Sequence, residues 1–357
     1  MVPTRLWRRR LIKASMCVSL GLLVGACGGG ADQDASESAN ASVSSDKALG
    51  GSEALSSAAR RKALSHDRKG VVSVIVSRDG STIGVANSDG SVRVLDSASA
   101  REIRTLKVEG GSPAAGILFS TDGRYLVAVG KDSLTQVWNV ETGERRFTLR
   151  GHAHPLRAVA ASADGSVIAT GGEETRVMLW DGMTGRLRQV LTGPTDFVNA
   201  LSVSPDGRLL ASGDADARIL IWDVATGRLL QTLRGHSNEV NAIVFSADGK
   251  RLVSAGEDGK VLLWDVGAGR QMLALQGQGA PVRSLALSGD GDFLAAGGLN
   301  GTVVVWDMST RTLVQDFAAS TAAVNSVVFD RNTKGQLFVG GEESRVRSLN
   351  VSRNAAR

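Results

Sequence analysis

Five of the six tryptophans in this 357-residue chain recur at a constant interval of 42 residues. They are Trp138, Trp180, Trp222, Trp264 and Trp306. One further step of 43 residues at each end reaches Leu95 and Leu349, so the sequence contains seven units. A unit of this length cannot bury its own apolar surface, and repeated units must therefore stack on one another to form a common core.

The fifth unit shows how one repeat is built. Gly235-His236 opens it, and a run from Val240 to Phe245 follows that alternates apolar and polar residues before it becomes continuously apolar. The turn signals Asp248-Gly249 and Asp258-Gly259 separate this run from two more apolar segments, the last of which ends at Trp264-Asp265. Short apolar segments between such turns predict β-strands, and a fourth strand is expected before the next unit. The 43 glycines of the chain agree with a structure of many tight turns.

These residues resemble the WD-repeat family, in which Gly-His, Asp-Gly and Trp-Asp occur at the same spacing in units of about 42 residues. The resemblance implies an all-β fold, a seven-bladed β-propeller of four-stranded antiparallel blades over residues 59–352. The last unit stops near Val351, so we expect it to lack an outer strand of its own. We expect the N-terminal segment 61–66 to supply that outer strand and to close the ring.

The resemblance also implies a hydrogen-bonded structural tetrad within a unit. Unit 5 carries the full set, His236, Ser254, Asp258 and Trp264. Unit 3 carries a variant with Glu in place of Asp, His152, Thr170, Glu174 and Trp180. His, Asp and Ser also form catalytic triads, but Ser254 lacks the strained turn that exposes a nucleophile, so we interpret the set as scaffolding. Other units lose members of the tetrad, and Ala128 and Ala296 replace the hydroxyl residue in units 2 and 6.

A candidate binding surface follows from the same resemblance. In WD-repeat propellers, the loop into each innermost strand and the residue before the turn aspartate crowd one face, the top face. The candidate residues on this face are Arg157, Glu173, Asn199, Asn241, Glu257, Arg283, Asn325 and Glu342. All belong to units 3 to 7, because units 1 and 2 offer blander side chains. Mixed charge with several Asn and Arg side chains favours recognition of a protein or a peptide.

The first 26 residues are typical of an export signal. A basic stretch that includes Arg8-Arg9-Arg10 precedes a mainly apolar run, residues 14–25, which is too short to cross a bilayer. The sequence Leu23-Val24-Gly25-Ala26-Cys27 then resembles a bacterial lipobox, which implies cleavage before Cys27 and lipidation of its thiol. An ordinary secretory signal with an incidental cysteine is the alternative. General and twin-arginine export both remain open.

Residues 27–58 predict a flexible linker, because they are rich in Ser, Ala, Asp and Glu and contain no aromatic residue. The expected organisation is a lipoprotein signal peptide at 1–26, a lipid-anchored linker at 27–58, the propeller at 59–352 and a short tail at 353–357. Lipidation places the protein in a bacterial cell envelope, in the outer membrane facing the periplasm or at the cell surface.

The net charge of +5 resides in the export signal. Arg5, Arg8, Arg9, Arg10 and Lys13 account for all of it, and the rest of the chain is neutral overall. A neutral mature protein does not favour nucleic-acid binding, which depends on basic side chains that contact phosphates. Two cysteines and four histidines give neither a disulfide framework nor a metal-ligand cluster, so we expect no cofactor and no metal.

The sequence therefore predicts a non-enzymatic, monomeric scaffold. It would bind an unidentified protein or peptide through its top face and reach the membrane through lipidated Cys27. The regular 42-residue spacing leaves no insertion in which a catalytic apparatus could be built. Two alternatives stay open at this point: a propeller-based envelope enzyme such as a hydrolase or a dehydrogenase, and a propeller that binds a small ligand.

Deletion of residues 57–66 tests the expected closing strand. We expect the melting temperature to fall by on the order of 5 °C or more, since the last blade would lose its outer strand. Deletion of the equally long linker segment 36–45 is the control and should leave the melting temperature unchanged. Thermal unfolding followed by circular dichroism measures both, and equal melting temperatures for the two deletions would contradict the expectation.

Overall fold

The computed structural model describes residues 70–275, 278–343 and 346–352. Within these residues the regular structure consists of 27 β-strands and one turn of 3-10 helix at Glu109–Gly111. The expected all-β propeller is confirmed.

Consecutive strands pair in antiparallel fashion, and each group forms one blade. The strands of blades 1 to 4 are β1 Val71–Val76, β2 Thr82–Asn87, β3 Ser91–Asp96, β4 Glu102–Lys107, β5 Ala114–Phe119, β6 Tyr125–Gly130, β7 Thr135–Asn139, β8 Arg145–Leu149, β9 Leu156–Ala161, β10 Val167–Gly172, β11 Glu174–Asp181, β12 Leu187–Thr192, β13 Val198–Val203, β14 Leu209–Asp214, β15 Arg218–Asp223 and β16 Leu229–Arg234. The strands of blades 5 to 7 are β17 Val240–Phe245, β18 Arg251–Gly256, β19 Val261–Asp265, β20 Arg270–Leu275, β21 Val282–Leu287, β22 Phe293–Gly298, β23 Thr302–Asp307, β24 Thr312–Ala318, β25 Val324–Phe329, β26 Gln336–Gly341 and β27 Arg347–Asn350.

Seven blades stand around a central channel. Six of the described sheets have four strands, and the seventh has three, β25, β26 and β27. The first strand of each blade is innermost and packs beside the first strands of both neighbouring blades. Strand β25 of blade 7 packs beside β1 of blade 1, so the inner strands close the ring. Segment 61–66, which we expect to complete blade 7, lies outside the described residues.

The burial pattern shows why a blade needs neighbours. In blade 4 every residue of the inner strand β13 is buried, whereas most of the outer strand β16 is exposed or partly exposed. Clusters of buried apolar side chains fill the spaces between successive blades, including the space between blade 7 and blade 1. Removal of these blade faces from water is the main favourable contribution to the stability of the ring.

The repeated tryptophan lies at the interface between its own blade and the preceding one. Trp222 packs among residues of blades 3 and 4, Trp264 among those of blades 4 and 5, and Trp306 among those of blades 5 and 6. A Cβ atom at Gly193 would lie 2.6 Å from the Trp222 ring, and one at Gly235 would lie 2.8 Å from the Trp264 ring. Packed atoms do not approach so closely. The tryptophan near the end of these units therefore requires the glycine at their start.

A serine joins blade 7 to blade 1. The Val74 amide donates a hydrogen bond to Ser326 Oγ at 3.1 Å, and the Ser326 hydroxyl donates to the Val74 carbonyl at 3.1 Å. Ser284 holds the same position in blade 6, and its Oγ accepts one hydrogen bond, from the Val327 amide at 3.0 Å. Ser73 holds it in blade 1, where its buried Oγ has no hydrogen-bond partner among the described residues. One position thus makes three different contributions around the ring.

Substitution of these three serines by alanine should give a graded loss of stability. Ser326→Ala leaves a buried donor and a buried acceptor unpaired, so we expect the free energy of unfolding to fall by about 2 to 3 kcal/mol. Ser284→Ala leaves one donor unpaired and should cost about 1 to 2 kcal/mol, and Ser73→Ala should cost less than about 0.5 kcal/mol. Urea unfolding measures all three, and equal losses would contradict the role of Ser326 in closing the ring.

Candidate functional site

Every inner strand carries a β-bulge at its second residue, and a bulge re-aims the side chain that it carries. The register between the first two strands of each blade shifts at this point. The residues concerned, which we call the bulge row, are Val72, Ala115, Arg157, Asn199, Asn241, Arg283 and Asn325. All seven are at most 7 % exposed. They pack together at the end of the channel where the inner strands begin, which we call the upper mouth.

Arg157 is the most heavily bonded member of the bulge row. Its guanidinium donates to Glu173 Oε1 at 3.1 and 3.2 Å and to Asn199 Oδ1 at 2.9 Å. The guanidinium carbon also lies 4.7 Å from the centre of the Phe197 ring, which is a cation–π contact. These contacts fix the guanidinium between blades 3 and 4, where it compensates the Glu173 carboxylate.

The asparagines of the bulge row connect neighbouring blades. Asn199 Nδ2 donates to Glu239 Oε2 at 3.0 Å, across blades 4 and 5. Asn241 Nδ2 donates to Glu257 Oε2 at 3.1 Å within blade 5 and to the backbone carbonyl of residue 282 in blade 6 at 3.0 Å. Asn325 Nδ2 donates to the backbone carbonyl of residue 71 at 3.2 Å, and its Oδ1 accepts from Arg283 at 3.4 Å. A belt of side-chain hydrogen bonds therefore runs round much of the upper mouth.

The structure divides the eight predicted top-face residues into two groups. The five in the bulge row are buried and bonded within the belt: Arg157, Asn199, Asn241, Arg283 and Asn325. The three glutamates are partly or fully exposed: Glu173, Glu257 and Glu342. The arginines and asparagines therefore position their neighbours. The glutamates are the side chains that solvent reaches.

Glu239 and Phe197 also belong to the upper mouth, and sequence reasoning missed both. Each lies two residues before a member of the bulge row, a position at which the other units have Gly, Pro or Ala. A comparison of that position across the units would have singled them out. Burial raises the pKa of the Glu239 carboxyl, and the nearby charges of Glu257 and Asp196 raise it further against the opposing effects of Asn199 and Arg157.

Four carboxylates thus lie at the upper mouth, on blades 3, 5 and 7, and we call Glu173, Glu239, Glu257 and Glu342 the upper rim. Belt side chains hold three of them in place through Arg157, Asn199 and Asn241. Solvent reaches all four carboxylates, whereas the two arginines of the belt are buried, and the equivalent position of blade 2 carries the exposed Lys131.

The tetrad of blade 5 forms an unbroken chain of hydrogen bonds. Trp264 Nε1 donates to Ser254 Oγ at 2.8 Å, and Ser254 Oγ lies 2.7 Å from His236 Nε2. His236 Nδ1 lies 3.0 Å from Asp258 Oδ1. Burial by itself raises the pKa of Asp258, but the hydrogen bonds from His236 and from the Ser237 amide outweigh it and lower the pKa to about 2.

Blade 3 shows the corresponding set with Glu174 in place of Asp. Trp180 Nε1 donates to Thr170 Oγ1 at 2.8 Å, His152 Nε2 lies 2.8 Å from the same hydroxyl, and His152 Nδ1 contacts the Glu174 carboxylate. Burial lowers the pKa of His152 despite that carboxylate. Glu174 also accepts from Arg176 at 2.6 Å. The polar atoms of both tetrads bond to one another between strands, which is the arrangement of a structural network.

Blade 4 has Pro194 at the position of the tetrad histidine and forms a different network. Arg218 donates to the buried Asp214 carboxylate at 2.7 and 3.0 Å and to Thr195 Oγ1 at 2.5 Å, and Thr195 contacts Asp216. Burial raises the pKa of Asp214 against these hydrogen bonds. Sequence reasoning missed this pair. The sequence feature that could have revealed this pair is Asp214, which holds a position that is glycine in five other units: Gly130, Gly172, Gly256, Gly298 and Gly341.

The opposite end of the channel, where the inner strands end, holds a cavity of about 430 Å³. We call it the lower mouth. Residues of all seven blades line it, and they include Arg78, Arg251 and Arg331. None of the residues predicted from the sequence as site residues lies in this lining.

Two further observations concern the described part of the chain alone. No three side chains of His, Cys, Asp or Glu in it lie close enough to hold a metal ion. No helix in it is long and apolar enough to span a membrane.

Comparison with known families agrees with the blade geometry. The WD40 family model, described as WD domain, G-beta repeat, matches four consecutive segments, residues 143–181, 185–223, 227–265 and 269–307. The chain carries four WD40 repeats in tandem. Each matched WD40 segment begins at the outer strand of one blade and ends with the third strand of the next. A search of the curated proteins finds no match to this chain.

The blades whose inner strands lie outside the matched WD40 segments depart from the repeat, as the matched blade 6 does at Ala296. Leu95 and Leu349 stand in place of the tryptophan in blades 1 and 7, and Ala128 removes the tetrad hydroxyl in blade 2. All three blades keep the WD40 strand order. Packing of their apolar faces therefore suffices to form a blade without a tetrad.

The WD40 tetrad of blade 5 predicts a pH-dependent contribution to stability. The pKa of Asp258 is about 2 in the folded protein and near 3.8 when the chain is unfolded, so its contribution is present above pH 4. It is lost as the pH falls from about 4 towards about 2. We expect Asp258→Asn to lower the free energy of unfolding by about 1 to 2 kcal/mol at neutral pH, with a deficit that shrinks over this window.

Urea unfolding at pH 7 and at pH 3 measures this deficit. The exposed Asp316→Asn is the matched control and should change stability little at either pH. A deficit of Asp258→Asn that stays constant between the two pH values would contradict the role of the Asp258 charge.

Proposed function

We propose that this protein is a non-enzymatic scaffold of a bacterial cell envelope that binds a basic segment of a partner protein at its upper rim. WD40 propellers are typically protein-interaction scaffolds without enzymatic activity. The observation that carries the proposal is the upper rim itself, Glu173, Glu239, Glu257 and Glu342, which lies around one end of the channel with the arginines of the belt buried beneath it.

The geometry of the rim supports recognition of Lys or Arg side chains. Carboxylates that neighbouring amides and a guanidinium already hold lose little conformational freedom when a ligand binds. The raised pKa of Glu239, to which burial and the charge of Glu257 both contribute, indicates that its charge is incompletely compensated. A cation from a partner would supply that compensation and would favour the charged form of Glu239.

The membrane location rests on the sequence. Cys27 lies in a lipobox-like segment, and residues 28–58 would form the tether between the lipid and the propeller. Two acyl chains and an N-acyl group give stable anchoring, where a single chain binds only marginally. The propeller would then present its upper rim at a distance from the bilayer that the tether sets.

Binding of matched peptides tests the upper rim. We expect the full chain to bind a Lys-rich peptide more tightly than a Glu-rich peptide of equal length, with an affinity that falls as salt is raised. The double variant Glu239→Gln, Glu257→Gln should weaken binding of the Lys-rich peptide about tenfold. Glu144→Gln, an exposed change in the loop between β7 and β8, is the control. Fluorescence anisotropy measures the affinities, and equal binding of both peptides would overturn the proposal.

Fractionation of bacterial cells that express the protein tests the anchor. We expect the wild-type chain to fractionate with membranes and Cys27→Ala to be released. Crosslinking in intact cells, followed by mass spectrometry, then identifies which partners depend on the anchor. An unchanged membrane share for Cys27→Ala would show that the lipid anchor is wrong while leaving the rim proposal to the peptide measurements.

A further inference from the structure

The lower mouth is built from two rows of residues that repeat from blade to blade. The last residue of each inner strand forms an apolar ring, Val76, Phe119, Ala161, Val203, Phe245, Leu287 and Phe329. Two residues further on lies the turn row, Arg78, Thr121, Ala163, Pro205, Ala247, Gly289 and Arg331. Both rows line the cavity. The turn row is neutral on blades 2 to 6 and carries arginine only on blades 7 and 1.

The two arginines lie on the turns of neighbouring blades. Blades 7 and 1 are neighbours in the closed ring, and Asn332 Nδ2 donates to the Gly80 carbonyl at 2.9 Å, which ties the two turns together. Burial lowers the pKa of the Arg331 guanidinium, and the charge of Arg78 lowers it further. Two like charges thus lie on adjacent turns at one side of the mouth.

Hydrogen bonds and ion pairs engage three of the acidic residues nearby, whereas Asp330, next to Arg331, keeps one buried carboxylate oxygen without a hydrogen-bond partner among the described residues. Both carboxylate oxygens of Asp79 accept hydrogen bonds from serine hydroxyls, those of Ser77 at 2.5 Å and Ser81 at 2.8 Å. Lys334 forms ion pairs with Asp290 at 2.8 Å and with Asp292 at 2.9 Å. The side chains of Arg78 and Arg331 form no hydrogen bond or ion pair with any residue that the structure describes.

The cavity lining has a marked charge imbalance. It contains Arg78, Arg251 and Arg331 and, among the described residues, no Asp or Glu. Arg251 lies on blade 5, and its charge contributes to lowering the pKa of the Asp248 carboxyl. Arg251 also forms no side-chain hydrogen bond or ion pair with a described residue, but only blades 7 and 1 carry arginines on neighbouring turns. They lie beside the apolar ring, in which Phe245 and Phe329 are 6 % and 3 % exposed.

We propose that the lower mouth binds a small organic anion that carries one carboxylate on an apolar body. Arg78 and Arg331 hold the carboxylate, and the apolar ring receives the body. Guanidinium groups pair with carboxylates through two parallel hydrogen bonds, and the pair offers more donors than one carboxylate needs. A volume of about 430 Å³ lies within the range of small-molecule sites. This site is separate from the upper rim and does not depend on the scaffold proposal.

The chemistry of the mouth distinguishes this ligand from simpler anions. A guanidinium pair also attracts phosphate, but inorganic phosphate has no apolar part to contact the apolar ring. A neutral amide of the same shape fills the ring but leaves both arginines without a counter-charge. The proposed ligand class therefore requires both parts in one molecule.

Titration of the full chain with four probes tests the site, with saturation-transfer NMR as the readout. We expect saturable binding of hexanoate and at least tenfold weaker binding of hexanamide, acetate and inorganic phosphate. Arg78→Gln and Arg331→Gln should each weaken hexanoate binding about tenfold. Thr121→Arg places a third arginine in the turn row beside Arg78 and should tighten hexanoate binding several-fold.

Arg208→Gln is the matched control, because Arg208 lies in the equivalent region of blade 4 with its side chain 84 % exposed and outside the cavity lining. It should leave the affinity for hexanoate unchanged, and equal melting temperatures for all variants verify that they are folded. Absence of saturable hexanoate binding overturns the proposal. So does equal binding of hexanamide or phosphate, or an affinity that neither Arg78→Gln nor Arg331→Gln alters.

Discussion

Packing of one blade face against the next is the interaction on which the rest of this structure depends. The three inner strands of a blade are apolar on both faces, and only a neighbouring blade covers each face. An open row of seven blades would leave two such faces in water. Closure buries them, as the cluster of Val71, Val74 and Phe338 shows between blades 7 and 1. The tryptophan of the repeat and the glycine beneath its ring are parts of the same interface.

The two ends of the channel follow from the same strand geometry but differ in chemistry. Each inner strand begins with a bulge, which turns its second side chain into a buried belt, and each ends in a tight turn beside an apolar ring. Positions on the blade faces must carry side chains that pack against the neighbouring blade. Positions at the two ends carry no such restriction, so Glu, Asn and Arg occur there on some blades and small neutral residues on others. The upper rim is acidic, whereas the lower mouth carries the arginine pair of blades 7 and 1.

The sequence predicted the repeating features well because their partners lie close along the chain. The spacing of Trp222, Trp264 and Trp306 gave the number of units, and the turn signals within a unit gave its strands, since each tryptophan packs within or beside its own unit. The tetrad members His236, Ser254 and Asp258 lie within one repeat, and their hydrogen bonds form inside one blade. Residues that occur in one blade only were harder to interpret. Asp214 and Arg218 form an ion pair in blade 4, and Asn199 holds Glu239 in the upper rim. The pattern of the repeat predicts neither contact, because these residues occur in one blade only.

By itself, the amino-acid sequence determined that this chain folds as seven stacked units of four short strands, with turns at the Asp-Gly pairs and a tryptophan at each matched interface. Only the tertiary structure decided which polar residues face solvent and which are buried. The ring brings residue 74 beside residue 326, and it brings Arg78 beside the turn that carries Arg331, across a separation of about 250 residues. Such contacts depend on the curvature of the closed ring, and no local pattern encodes it. The same curvature buries Arg157 in the belt and leaves the two arginines of the lower mouth without a partner among the described residues.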